Sequence, residues 1–248
     1  MAITIHNPER FKHKPNAVLF DLDNTLYAYE PAHEKAMDIC KEKANQLLGV
    51  TTEQFEEAFT KAKKEIKQRL GHTASSHSRL LYFQRMIELL GMKSQVLFAL
   101  DLEQTYWRSF LSTTELFEDV IDFLNDLKAA GIPTAVVTDL GVQIQFRKII
   151  YFRLEEYFDF VVTSDEAGID KPSAVPFLLA IEKLKIDPTQ AWMIGEDYEK
   201  DILGAKKAIN CITLQKYHKG VALTESPDKP DAVFKHFSAV RKLLEGLE

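Results

Sequence analysis

The chain has 248 residues, 46% of them apolar and 27% charged, and a formal net charge of -6 at pH 7. That is enough chain for a full hydrophobic core, with an ordinary globular composition, and the net acidity argues against an extended polyanion such as nucleic acid as ligand. Nothing approaches the roughly 18 consecutive apolar residues of a spanning helix, and the opening MAITIHNPERFKHKPNA has no apolar core of a leader. Only Cys40 and Cys211 occur, spaced for neither a zinc site nor a Cys-x-x-Cys pair, so free buried thiols, no membrane association and a reduced cytoplasmic setting are expected.

Residues 1–16 are polar and punctuated by proline, and the first strand is expected at 17–20, Ala-Val-Leu-Phe. This unbroken apolar run suits a strand buried on both faces of a parallel sheet. It ends in Asp21-Leu22-Asp23-Asn24-Thr25, where two carboxylates at i and i+2 on extended chain share a side and raise each other's cost of ionisation. From Ala32 to about Leu111 the periodicity is helical throughout. Thr51 to Gln54 reads as a capping box, Gly49 and Gly71 as helix ends, and Leu97, Leu100, Gln104, Trp107 and Leu111 as the inward seam of a fourth helix. Between the second and third helices, His72 to Arg79 forms a small polar loop with Ser78 as the next N-cap.

A helix over Leu116 to Leu127 follows, and strands and helices then alternate. Apolar or β-branched runs stand at Thr134–Thr138, Phe160–Thr163, Ala191–Gly195 and Cys211–Leu214, with a further strand at Asp231–Phe234 and a last helix from Phe237 to Leu247. The rhythm predicts an α/β fold, a doubly wound Rossmann-like parallel sheet with an inserted all-helical cap. The expected boundaries are 1–30 and 112–248 for the core and 31–111 for the cap.

The ends of parallel strands share one edge, and ligands gather there. That edge receives Asp21 and Asp23, then Thr138 and Asp139 with Gly141 at a helix entry, Lys171, and the acids Glu196, Asp197 and Asp201. Each has a plain alternative: turn, N-cap or solvated charge. Together they are what metal-assisted phosphoryl transfer needs: hard oxygens for Mg²⁺, and a hydroxyl, an ammonium and backbone N–H groups for phosphate oxygens. No Gly-x-x-x-x-Gly-Lys-Ser/Thr loop occurs, which speaks against nucleotide handling by a P-loop.

Four of these segments, in order, resemble the motifs of the haloacid dehalogenase superfamily, in its phosphatase branch with a helical C1-type cap: Asp21-Leu22-Asp23-Asn24-Thr25, Thr138, Lys171-Pro172, and Gly195-Glu196-Asp197 through Asp201. The resemblance implies that Asp21 is a nucleophile forming an aspartyl-phosphate and Asp23 a general acid and base. It implies Mg²⁺ on Asp21, the Asp23 carbonyl and fourth-motif carboxylates, and phosphate on Thr138 and Lys171. Members that act as dehalogenases lack an acid at the position of Asp23.

Three departures from the family pattern stand out. Asp139 replaces the usual Asn, and either faces a polar group of the substrate or points away with its backbone engaged. Glu196 replaces the usual Asp, leaving Glu196 or Asp197 to accompany Asp201 on the metal. Asn210 stands where Gly often follows.

The expected activity is Mg²⁺-dependent hydrolysis of a small phosphorylated metabolite, of nucleotide or sugar phosphate type. His77 and Arg79 in the cap loop are the candidates for substrate specificity. The alternatives are a catalytically silent phospho-ligand binding protein and, less favoured, a 2-haloacid dehalogenase.

Overall fold

The computed structural model describes residues 3–221, 223 and 228–248, and within it the chain divides into two compact units, 1–28 with 115–248 and 29–114. Residues 1 and 2, at the head of the expected irregular stretch, lie outside the described residues.

In chain order the elements are β1 (Ile3–Ile5), β2 (Val18–Phe20), α1 (Tyr29–Leu48), α2 (Thr52–Leu70), α3 (Arg79–Leu89), α4 (Val96–Ser112), α5 (Val120–Ala129), β3 (Thr134–Thr138) and α6 (Val142–Tyr151). There follow β4 (Phe160–Thr163), the single turn α7 (Ser164–Ala167), α8 (Ala174–Leu184), β5 (Trp192–Gly195), a π-helical segment Tyr198–Leu203 running into α9 (Gly204–Ile209), β6 (Ile212–Lys216), β7 (Ala232–Phe234) and α10 (Phe237–Glu245).

The first unit is built on one sheet in the order β1-β7-β6-β5-β2-β3-β4. Every pairing is parallel except β1 with β7. The strand Ile3–Ile5 was not expected: three residues between polar neighbours carry too short a pattern to read, and it exists because β7 offers an open edge. Side chains alternate across the sheet. Leu19, Val137 and Met193 pack with Phe177, Ala180, Ala205 and Ile209 of α8 and α9, whereas Phe20 turns to the opposite face and meets Phe123 of α5, which in turn meets Phe237 of α10. Helices therefore cover both faces, the doubly wound arrangement.

From β2 the chain order runs one way to β3 and β4 and the other way to β5, β6 and β7. The C-terminal end of β2 is thus the switch point, where such sheets open a crevice.

In the second unit α2 starts at Thr51 with a complete capping box to Gln54, and Gly49 and Gly71 take the positive φ of helix ends, 65° and 62°. Packing is aromatic: Phe55 and Phe59 meet Phe83, and Tyr106 meets Phe83 and Phe110. The inward face of α4 is Ala99, Leu102, Tyr106, Trp107 and Phe110. Leu97 and Leu100 are 77% and 43% exposed, which corrects the expected seam. Trp107 of that seam is buried, and it shares the inward face with Ala99, Leu102, Tyr106 and Phe110.

Cys40 and Cys211 are free and buried, and burial pushes each thiol up to about 12. Among the described residues no helix is long and apolar enough to cross a membrane.

Candidate active site

The switch point collects the charged residues of four loops. Asp21 follows β2 directly, its N–H donating to the Ile194 carbonyl at 2.9 Å, so its carboxylate stands at the junction of β2 and β5. Asn24 turns the chain with φ 63°, a conformation Asn tolerates. The turn brings Thr25 back to donate to Asp21 Oδ2 and to Glu196 Oε2, each at 3.1 Å.

Lys171, just ahead of α8, is 2% exposed, and its Nζ bridges Asp21 Oδ1 at 2.7 Å, Asp201 Oδ1 at 2.6 Å and the Val137 carbonyl at 2.9 Å. Burial alone would push its ammonium down, but the charges of Asp201 and Asp21 outweigh that and hold it well above its ordinary value.

Carboxylate oxygens of Asp21, Glu196 and Asp201 lie within 4.8 Å of one another. Burial first, then mutual repulsion, raises the Asp21 and Glu196 carboxyls, against the pull of Lys171. Asp201 reaches this cluster because Gly195 leaves room: a Cβ there would come within 2.4 Å of the Asp201 Cβ. Asp197 is used differently, as the N-cap whose Oδ1 accepts from Lys200 N–H at 3.0 Å.

Thr138 ends β3 and is 3% exposed. The Asp139 carboxylate accepts from Lys200 Nζ at 2.8 Å and from Lys171 N–H at 2.9 Å, so it is already engaged with protein groups. Asn210 adopts the left-handed conformation, φ 50°, and terminates α9 as a glycine would.

Asp23 is tethered by residues that sequence reasoning passed over. Lys148 of α6 donates to Oδ1 at 2.6 Å and Oδ2 at 2.8 Å, Gln145 reaches Oδ2 at 3.3 Å, and the Tyr27 hydroxyl donates to Oδ1. Gln145 and Lys148 lie three apart, hence on one helical face, and this spacing was the available signal.

His77 and Arg79 belong to the helical unit. His77 closes a short 3₁₀ turn, and its carbonyl accepts from Arg79 at 2.9 Å. The Arg79 guanidinium donates also to the Tyr29 hydroxyl and lies over the rings of Tyr82, Tyr106 and Trp107 at 5.2–5.6 Å. Its enclosed Nε has no hydrogen-bond partner, and among the described residues no carboxylate pairs with it. Burial first, then the charge of Arg79, pushes nearby His33 down to about 4.

Residues 15–208 match the haloacid dehalogenase-like hydrolase family. The chain is 38% identical over 190 residues to the ribulose-1,5-bisphosphate 5-phosphatase of Halopiger xanaduensis, covering 76% of this chain and 80% of that one. It is 30% identical over 193 residues to the glyceraldehyde 3-phosphate phosphatase of Methanothermobacter thermautotrophicus, covering 77% and 81%. Among solved structures, a 2-haloacid dehalogenase from Pseudomonas syringae superposes with a TM-score of 0.73 at 23% identity, over 92% of this chain and 97% of that one, a likeness of fold. With the matched region spanning all four motifs, the chain belongs to the haloacid dehalogenase-like hydrolase family.

Proposed function

We propose that the protein is a magnesium-dependent phosphatase that hydrolyses a small sugar-phosphate-type monoester through an aspartyl-phosphate on Asp21. The observation that carries this reading is the buried bridge of Lys171 between Asp21 and Asp201, with Glu196 in the same cluster. A nucleophile, a cation for phosphate oxygens and a set of metal ligands meet there. The presence of an acid at Asp23 supports ester cleavage over dehalogenation. The names of the two relatives support a small sugar phosphate as substrate.

The donor set fits a hard divalent cation. Three clustered carboxylates share one ammonium, leaving negative charge that oxygen-seeking Mg²⁺ suits. Asp21, Glu196 and Asp201 would hold it, with the Asp23 backbone carbonyl, while Asp197 serves as the N-cap. When bound, the ion neutralises charge between nucleophile and phosphate oxygens.

The residues divide the work as follows. Asp21 attacks phosphorus, the phosphorus–ester oxygen bond breaks, and Asp23 gives that oxygen its proton. A water then yields a proton to Asp23 as its oxygen bonds phosphorus, and the Asp21–phosphorus bond breaks to release inorganic phosphate. Thr138, Lys171 and the backbone at Asp139 hold the phosphate oxygens, with the Asp139 carboxylate turned to Lys200.

Asp21→Asn, assayed with Mg²⁺ on a generic phosphomonoester, is expected to lose roughly 10³-fold or more in kcat. Wild-type turnover in that variant sinks the reading. A flat response of the unaltered protein to Mg²⁺ favours the silent binding protein instead.

The helical unit, as cap, would select the substrate. Arg79, a cation that pairs with no carboxylate among the described residues, supports recognition of an anionic or hydroxyl-rich part of the substrate, with His77 holding the guanidinium through its carbonyl. Arg79→Ala is expected to raise KM for sugar phosphates about tenfold or more, the scale of one charged hydrogen bond. An unchanged ranking across a panel of phosphometabolites counts against the assignment.

A further inference from the structure

Asp23 has both carboxylate oxygens engaged by one helix. Lys148 grips Oδ1 and Oδ2 at 2.6 and 2.8 Å, and Gln145 reaches Oδ2 at 3.3 Å. The same Gln145 amide nitrogen donates to Thr138 Oγ1 at 2.8 Å and to the Asp139 carbonyl at 2.7 Å, so Asp23 is tied to the end of β3. Tyr27 closes the other side, its hydroxyl on Oδ1 and its ring 5.9 Å from the Lys148 ammonium.

This arrangement is costly for α6. Gln145 and Lys148 are fully buried, while the apolar Val142, Phe146 and Ile150 of the same helix are 38%, 47% and 62% exposed. A helix turned to maximise burial would do the reverse, because desolvating an ammonium is unfavourable until pairing offsets it. A local rule broken in this way is what a functional constraint leaves behind.

We propose that Lys148 is a positioning residue for proton transfer, holding the Asp23 carboxyl in one orientation toward the leaving oxygen, with Gln145 fixing its distance from Thr138. The proposal rests on the reading of Asp23 as acid and base. The ammonium itself neither gains nor loses a proton over the cycle. Asp23 gives one proton to the departing ester oxygen and recovers one from water.

Leaving-group chemistry separates this role from a structural one. An alkyl phosphate needs its leaving oxygen protonated, whereas p-nitrophenyl phosphate departs as a stabilised anion and needs little help. Lys148→Met is expected to lower kcat on glycerol phosphate by about 10²-fold, the usual worth of a placed acid. On p-nitrophenyl phosphate the expected loss is below about tenfold, with KM little changed on both. Lys148→Arg, which keeps the charge with different reach, is expected to recover part of the loss on the alkyl ester.

Equal losses on the two esters, or an effect on KM alone, overturn the proposal. Asp23→Asn run in parallel separates the two readings. If it shows the leaving-group split and Lys148→Met does not, only the role of Lys148 falls. If Asp23→Asn shows no split, the acid assignment fails and the proposal with it. Thermal melts accompany each variant; should Lys148→Met fail to fold, the Lys148→Arg comparison decides, an equal loss on both esters overturning the role.

Discussion

Gly195 has no room for a side chain. Its missing Cβ lets Asp201 fold back so that its Oδ2 accepts from the Asp197 N–H at 3.0 Å while Oδ1 meets Lys171 at 2.6 Å. Gly195→Ala would drive a methyl to 2.4 Å from the Asp201 Cβ, so the carboxylate must move. A displacement near 1 Å in a catalytic constellation costs about 10²-fold in rate. The variant is therefore expected to lose roughly that much kcat and to need more Mg²⁺ for half-maximal activity. Wild-type kcat with an unchanged Mg²⁺ requirement would show that Asp201 is not a fixed ligand.

At the scale of elements, what was legible depended on whether burial followed the pattern of apolar residues. Buried parallel strands announce themselves because both faces are apolar, so β2 to β6 stand close to their expected positions. Their ends named Asp21, Thr138, Lys171, Glu196 and Asp201, which the fold gathers at one crevice.

α6 was opaque for the opposite reason. Its apolar spacing at 142, 146 and 150 points away from Gln145 and Lys148, which the helix buries along with Ile149, so periodicity conceals their contact with Asp23. α4 was read only in part: Trp107 of the expected seam is buried, but Leu97 and Leu100 are exposed and the rings of Tyr106 and Phe110 join Trp107 on the inward face. β1 failed through length, its three residues depending on a partner 227 to 231 positions on, in the register Ile5 with Ala232 and Ile3 with Phe234. The orientation of Asp139 also lay outside the sequence, because it depends on Lys200, which only the fold brings to it.

At the scale of the molecule, the helical unit is an insertion between Ala28 and Glu115, and the core holds both of its connections. Tyr27 and Leu116 form an antiparallel bridge, and Phe117 N–H donates to the Leu26 carbonyl at 2.8 Å. Replacing residues 29–114 by a short Gly/Ser linker is therefore expected to leave an α/β core with a cooperative thermal transition by far-UV circular dichroism. A noncooperative melt would mean that the core needs its insertion.

The bridge between Tyr27 and Leu116 also bears on the order of folding. The pairing of β2 with β3 joins Val18 to Thr134, contacts far apart in sequence and slow to close. The four inserted helices are built on nearer contacts and fold on shorter loops. Once formed, they bring their own two ends together, and the remaining gap between β2 and β3 shrinks to a short closure whose entropic cost falls with loop length. The insertion is in that sense a scaffold for the strand pairing that encloses it, and a chain carrying the short linker should refold at least as fast as the whole.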